Sequence, residues 1–405
     1  MLRNDSKIES TKSYSLLDAL VSFKKESSVE ITQNFDSGNI EIINCSSPKE
    51  IEVKIRRDSN SHFYQWFHFR LSGVRKTECS IFIRNATGAA YPKGFQNYQV
   101  CCSYDKNDWF RHRTELIGDS LVIIIKPVRD IIYFAYFVPY SLEQHYKLIA
   151  SSLNSKFCRH EVLGKTIENR DIELISFANG SESEPRKACW ITARQHPGET
   201  MAEWWMEGFI EQLVDGPNTF VNKLLEECVI YLIPNMNPDG SYRGNLRTNA
   251  AGRNLNREWE APSLEKSPEV YFVKRKMQET GVDFFLDVHG DESLPYCFIA
   301  GTEGIVGWDK PKQAQLDFFK ERLAQLNPDF QTENGYPANG PGLANLTIGA
   351  NHIAVAHNCL AMTLEMPFKD TIDTPNEESG WSPLRSKQLA HSCLFVIAEY
   401  LNSLY

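Results

Sequence analysis

His196 and Glu199 stand three residues apart in the segment ARQHPGET, between an apolar run and a helix-like stretch. An imidazole and a carboxylate at that spacing can share one metal ion, but they need a third ligand from elsewhere in the chain. VDFFLDVHGDE offers His289 at the end of a second strand-like run. Two histidines and one carboxylate with a fourth position open form a catalytic zinc arrangement rather than a structural one. The chain has no HExxH, and Thr200 excludes HxxEH. Spacing by itself is weak, because a turn histidine followed by an acid favoured in the first turn of a helix gives the same pattern.

Context strengthens the pattern. ACWITA reads as a strand, Pro197-Gly198 forces a turn, and Glu199-Thr200 open a helical periodicity. Both ligands then sit at the carboxyl end of a strand, where open α/β sheets place their ligands. His289 ends its own strand in the same way. The surrounding chain supports such a sheet. IELISFA, KACWITAR, CVIYLIP, VDFFLDV, YCFIAG and CLAMTLEM read as strands, and TMAEWWMEGFIEQLV, PEVYFVKRKMQET and KQAQLDFFKERLAQL have the apolar spacing of helices. This alternation predicts an α/β domain with a mixed sheet over residues 141–405.

Residues 1–140 have a different texture. IEVKIRR, HFYQWFHFRLSG, SIFIRN, YQVCCSY and YFAYFV alternate apolar and polar positions between polar turns, which predicts an antiparallel β-sandwich behind a short leader. Trp66, Phe67, Phe69 and Tyr133 are expected in its core. With 405 residues, 42% of them hydrophobic, the chain can build two packed cores. It has no low-complexity linker, so the two domains are expected to pack closely.

A net charge of −9 argues against a general nucleic-acid partner. The start, MLRNDSKIESTKSYSLLDAL, lacks the pattern of an export signal, and the apolar runs LVIII and IIYFAYFV are too short to span a bilayer. A cytoplasmic protein without a membrane segment is expected. The 10 cysteines are scattered and include the adjacent Cys101-Cys102 pair, so reduced thiols fit better than a disulfide framework.

The polar segment NPDGSYRGNLRTNAAGRNLNREW carries Arg243, Arg247, Arg253 and Arg257. Guanidinium groups grip carboxylates in a bidentate geometry that lysine cannot copy. For Arg243 and Arg253, pairing with nearby surface acids is the better reading. In order, HPGE, NPDG, NLR, NLNREW, DVHG and TLEM resemble a zinc metallocarboxypeptidase, and most closely its cytosolic branch. FYQWFHFRLSG and YFVPYS resemble that branch's amino-terminal domain, so the likeness spans nearly the whole chain.

The resemblance implies one zinc ion held by His196, Glu199 and His289. It makes Arg247 the residue that stabilises the developing oxyanion, and Asn256 with Arg257 the pair that grips a free terminal carboxylate. Glu365 in MTLEMPF becomes the catalytic carboxylate, taking a proton from a water activated by the metal and passing it to the leaving amine. A lone acid among AMTL and MPF is partly buried, which raises its pKa. The implied activity is removal of the terminal residue of a peptide or protein.

The pattern departs in places. Asn254 stands where pancreatic relatives have an acid that orients a histidine ligand, and Asp287 is a second candidate for that role. Tyr336 in ENGYPANGPG is the nearest candidate for the tyrosine that caps substrate. GLANLTIGANHIAVAHN, expected to help build the specificity pocket, contains no Lys or Arg, which argues against assuming an acidic preference, although His352 and His357 could add charge. Two rival readings are an aspartoacylase-like zinc deacylase of small acylated amino acids and a catalytically silent carboxylate-binding module. NPDG, NLNREW and the leader domain favour the peptidase over the first, and the complete ligand set with Glu365 favours it over the second.

Overall fold

A computed structural model describes residues 29–180, 186–215 and 219–403. The amino-terminal stretch read above for an export signal lies outside the described residues.

Among the described residues, the first part of the chain is built from ten short strands: β1 (Glu30–Thr32), β2 (Glu41–Asn44), β3 (Ile51–Lys54), β4 (His68–Ser72), β5 (Cys79–Ile83), β6 (Gln99–Ser103), β7 (Trp109–Arg113), β8 (Glu115–Ile117), β9 (Ser120–Ile125) and β10 (Ile131–Ala135). They form two five-stranded sheets, ordered β1-β4-β10-β6-β7 and β2-β3-β5-β9-β8. All pairings are antiparallel except β3 with β5. The alternation that marks β3 and β5 in the sequence is the alternation of their burial, with Ile51, Val53, Ile81 and Ile83 turned into the core. Trp66, Phe67 and Phe69 are buried there, and Tyr133 is half-buried.

A capping box follows. The Ser141 hydroxyl accepts from the Gln144 amide while the Gln144 side chain accepts from the Ser141 amide, starting α1 (Leu142–Ser152). The remaining strands are β11 (Cys158–Lys165), β12 (Asp171–Phe177), β13 (Lys187–Ala193), β14 (Cys228–Ile233), β15 (Phe284–Asp291), β16 (Phe298–Ala300) and β17 (Leu360–Pro367). They form one mixed sheet, ordered β11-β12-β14-β13-β15-β17-β16. Its centre, β14-β13-β15-β17, is parallel. β15 and β17 are buried at every residue, as expected of strands covered on both faces.

Helices α2 (Thr200–Val214), α3 (Thr219–Glu227), α4 (Pro238–Arg243), α5 (Pro268–Thr280), α6 (Lys310–Leu326), α7 (Gly349–His357) and α8 (Pro383–Ser403) complete the domain. Met201, Trp205 and Phe209 of α2 and Leu389 and Cys393 of α8 pack in one core with Ile191, Leu286 and Met362 of the sheet. Val270, Val273 and Met277 of α5 and Ile353 of α7 pack in a second core with Trp190, Phe285 and Ala361. Because strand side chains alternate, the residues sharing a face with Phe285 are Asp287, His289 and Asp291, and those sharing one with Ala361 are Thr363 and Glu365.

The sandwich is fastened to this domain rather than tethered to it. Tyr136 stacks on Phe368 with ring centroids 4.7 Å apart, and the Arg111 guanidinium donates to the carbonyls of Phe368 and Trp381 at 2.9 and 3.0 Å. All ten cysteines are free thiols. No helix among the described residues is long and apolar enough to cross a membrane.

Candidate active site

β13 ends at Ala193, and the chain turns sharply through Arg194, a non-glycine residue with φ of 57°. The buried Arg194 side chain holds that turn by donating to the carbonyls of Pro197 and Tyr140 at 2.9 and 2.8 Å and to Glu203 at 2.6 Å. These bonds to buried acceptors offset the cost of left-handed backbone. They also set His196 and Glu199 at the mouth of α2, beside the end of β15.

His196 Nδ1 lies 2.6 Å from one Glu199 oxygen, His289 Nδ1 lies 2.8 Å from the other, and the two Nδ1 atoms are 3.2 Å apart. All three residues are buried, and among the described residues they are the one cluster of three or more potential metal ligands. The outward ring nitrogens are also held. His289 Nε2 donates to Asp287 at 2.8 Å and His196 Nε2 to Asn254 at 3.0 Å. With each Nε2 carrying the proton, each Nδ1 lone pair faces inward, as metal ligation requires. Two imidazoles and a carboxylate so arranged fit zinc. Burial works against a charged His289, but the negative charges of Asp287 and Glu199 outweigh it and raise its pKa above the ordinary value.

Glu365 pairs with His289 across the parallel ladder of β15 and β17. One of its carboxylate oxygens, Oε2, is buried without a hydrogen-bond partner. Burial pushes its pKa well above the ordinary range, His289 opposes this, and Glu199, Asp291 and Glu292 add to it. Lys369, four residues further on, donates instead to the carbonyl of Gln96 at 3.0 Å.

A cavity of about 520 Å³ opens over these groups, lined by Arg247, Asn256, Arg257 and Tyr336 among others. Asn256 accepts from the Gly349 amide at 2.8 Å through its side-chain oxygen, which fixes the amide. Arg257, in the short 3-10 turn Leu255–Arg257, donates to the Asn256 carbonyl at 2.6 Å. Arg243 pairs with Glu168, and Arg253 lies 2.5 Å from Glu258, so these two arginines are engaged outside the cavity. The Tyr336 hydroxyl donates to Asp291 at 2.5 Å and lies 3.4 Å from Glu365. Burial and the neighbouring acids hold that hydroxyl protonated.

Some lining residues had no distinguishing sequence signal. Tyr91 comes from the sandwich, Asp291 and Glu292 follow His289, and Glu303 and Lys320 supply charge that the segment before β17 lacks. His352 and His357 are partly buried and lie outside the cavity lining.

Comparison with known proteins is consistent across the chain. Residues 31–137 match the cytosolic carboxypeptidase N-terminal domain, and residues 146–373 match zinc carboxypeptidase. An uncharacterized protein of Zymomonas mobilis is 43% identical over 93% of this chain and 97% of its own length. Cytosolic carboxypeptidase 6 of Caenorhabditis elegans is 26% identical over 86% of this chain and 80% of its own. A metallo-carboxypeptidase from Pseudomonas aeruginosa, solved with (2-guanidinoethylmercapto)succinic acid, superposes with a TM-score of 0.90 at 43% identity, covering 93% of this chain and 100% of that one.

Proposed function

Because the chain belongs to the zinc carboxypeptidase family, in its cytosolic branch, and is a zinc-dependent metallocarboxypeptidase, we propose that His196, Glu199 and His289 hold its single zinc ion and that Glu365 is its general base and acid. The observation that carries this reading is the pairing of Glu365 with His289 in one ladder, which places a carboxylate of raised pKa beside the convergent ligands.

Held by His196, Glu199 and His289, zinc would supply a Lewis acid and an activated water. The unpartnered Oε2 of Glu365 is free to accept a proton from an attacking water and to pass it to the departing amine. Arg247 faces the negative charge that builds on the carbonyl oxygen of the scissile bond. Asn256 and Arg257 grip the free carboxylate of the last residue, which restricts cleavage to chain ends and releases one residue at a time. Tyr336 lies over the cavity with its hydroxyl free to donate to substrate once it leaves Asp291. The substrates are peptides or protein carboxyl termini in the cytoplasm, and neither nucleic acid nor membrane takes part.

The test is incubation of the zinc-loaded protein with a mixed peptide library, with and without a chelator, followed by mass spectrometry. Stepwise loss of single carboxyl-terminal residues, abolished by chelation, is expected. Turnover confined to small acylated amino acids would instead favour deacylase chemistry, and internal cleavage would remove the carboxylate clamp from the mechanism.

A further inference from the structure

The loop that bears Arg247 belongs to the catalytic domain in sequence, yet the sandwich holds it in place. Asp58, buried at 3% exposure, receives the Leu246 amide on one carboxylate oxygen at 2.6 Å. Its other oxygen receives the Arg247 amide at 2.7 Å, the Thr248 amide at 3.0 Å and the Thr248 hydroxyl at 3.2 Å. Consecutive amides converging on one carboxylate form a charge-assisted nest that fixes the backbone of all three residues.

Neighbouring contacts extend the grip. Ser37 and Asn39 donate to the carbonyls of Tyr242 and Gly244 at 2.9 and 2.6 Å, and Asn60 donates to that of Ala250 at 2.9 Å. Gly244 has a φ of 69°, and a Cβ there would lie 2.6 Å from the Ser37 carbonyl oxygen. On the opposite side the Leu246 carbonyl accepts from Gly198, in the turn between His196 and Glu199, at 2.9 Å. The loop is therefore pinned between the sandwich and the metal-ligand turn. Two aromatic rings of the sandwich then face the side chain, with the Arg247 guanidinium 5.4 Å from the Tyr91 ring centre and 5.8 Å from that of Phe63.

We propose that Asp58 is a positioning residue for Arg247, so that the amino-terminal sandwich is a working part of the oxyanion-stabilising arm rather than an appended module. This rests on the role given to Arg247 above. Asp58 touches no substrate; it acts by holding the backbone from which Arg247 reaches the cavity. Asparagine cannot replace it, because an amide keeps one acceptor oxygen and must turn its NH₂ toward backbone N–H groups that already donate.

The experiment is a double-mutant cycle on the zinc-loaded full chain, with kcat, KM and bound zinc measured for Asp58→Asn, Asp58→Ala, Arg247→Ala and both Arg247→Ala combinations. Loss of one oxyanion donor lowers kcat by about 100- to 1,000-fold, the expectation for Arg247→Ala. A shift of roughly 1 Å in a positioned group costs on the order of 100-fold. Asp58→Asn is therefore expected to lower kcat by about 10-fold, and Asp58→Ala by up to about 100-fold, with KM and zinc content near those of the parent. In the Arg247→Ala background either Asp58 change should add less than about 2-fold, because the group it positions is gone. A full second loss on that background, or an unchanged kcat in Asp58→Asn, overturns the inference while leaving Arg247 in its role. Parental kcat in Arg247→Ala removes the role of Arg247 and the inference with it. If Asp58→Ala does not fold, the Asp58→Asn arm decides.

Discussion

Asp287→Asn tests whether the charge behind His289 tunes the metal site. Asp287 is fully buried and receives three donors: the Thr192 hydroxyl at 2.7 Å on one oxygen, and the Gln195 amide at 2.5 Å and His289 Nε2 at 2.8 Å on the other. An asparagine of the same shape can turn its oxygen toward His289 and Gln195 and its NH₂ toward Thr192, whose hydroxyl can accept. The hydrogen bonds are then largely kept and the negative charge is lost. Partners behind metal-bound histidines are worth about 10- to 100-fold in metal affinity, equivalent to roughly 1.4–2.7 kcal/mol. Asn254→Ala removes a neutral acceptor from His196, worth about 0.5–1.5 kcal/mol as a net hydrogen bond. Competition for zinc against a chromogenic chelator is expected to rank the parent tightest, Asn254→Ala next and Asp287→Asn weakest. Zinc affinity in Asp287→Asn equal to that of the parent would refute the reasoning, since the charge would then contribute nothing that geometry does not.

Three further outcomes are expected. Glu365→Gln should retain zinc and lose about 100- to 10,000-fold in kcat, the range for a positioned acid–base group; activity surviving that change removes Glu365 from the mechanism. Arg257→Ala should raise KM for free peptides by about 10- to 100-fold through loss of a charged hydrogen bond of roughly 1.5–3 kcal/mol, and should narrow the preference over carboxyl-amidated peptides; an undiminished preference would place the clamp elsewhere. The third concerns stability. His145 is buried between Glu203 at 2.6 Å and Glu173 at 2.8 Å, and these acids outweigh burial to raise its pKa from 6.5 to about 9. A raised histidine pKa stabilises the fold fully below pH 6.5, and that contribution, on the order of 3 kcal/mol at most, disappears as pH rises through about 9. The melting temperature should fall between these values, and His145→Gln should flatten that slope; equal slopes would show that His145 does not titrate in this window.

Much of the catalytic domain was legible because its helices and central strands carry strong periods. TMAEWWMEGFIEQLV and PEVYFVKRKMQET coincide with α2 and α5. The His196–Glu199–His289 cluster was legible because each residue lies at the end of an apolar strand or opens a helix, so local patterns placed all three at the carboxyl ends of neighbouring central strands. Shorter and more polar elements were not. β11, CRHEVLGK, lies at the edge of its sheet, with much of it exposed and no apolar run to mark it. α7 lies in a segment read above as pocket wall without a secondary-structure assignment. Asp58, Tyr91 and Phe63 were invisible for a different reason. Their importance arises from contact with a loop more than 150 residues further along the chain, and residue type carries no trace of a partner that distant. The same holds for Arg194, which reads as the last residue of a strand and whose left-handed backbone appears only once the turn is built.

His289 and Glu365 are opposite rungs of one ladder, so their separation is inherited from the spacing between strands, about 4.8 Å in any sheet. That gauge is indifferent to the side chains of the cavity wall, most of which stand on loops and helix ends. Changes in those loops can therefore reshape the cavity wall while this pair keeps its interval. The strands themselves allow no such drift. A slip of one residue would turn either side chain to the other face of the sheet, so damage to this pair is all-or-none rather than graded.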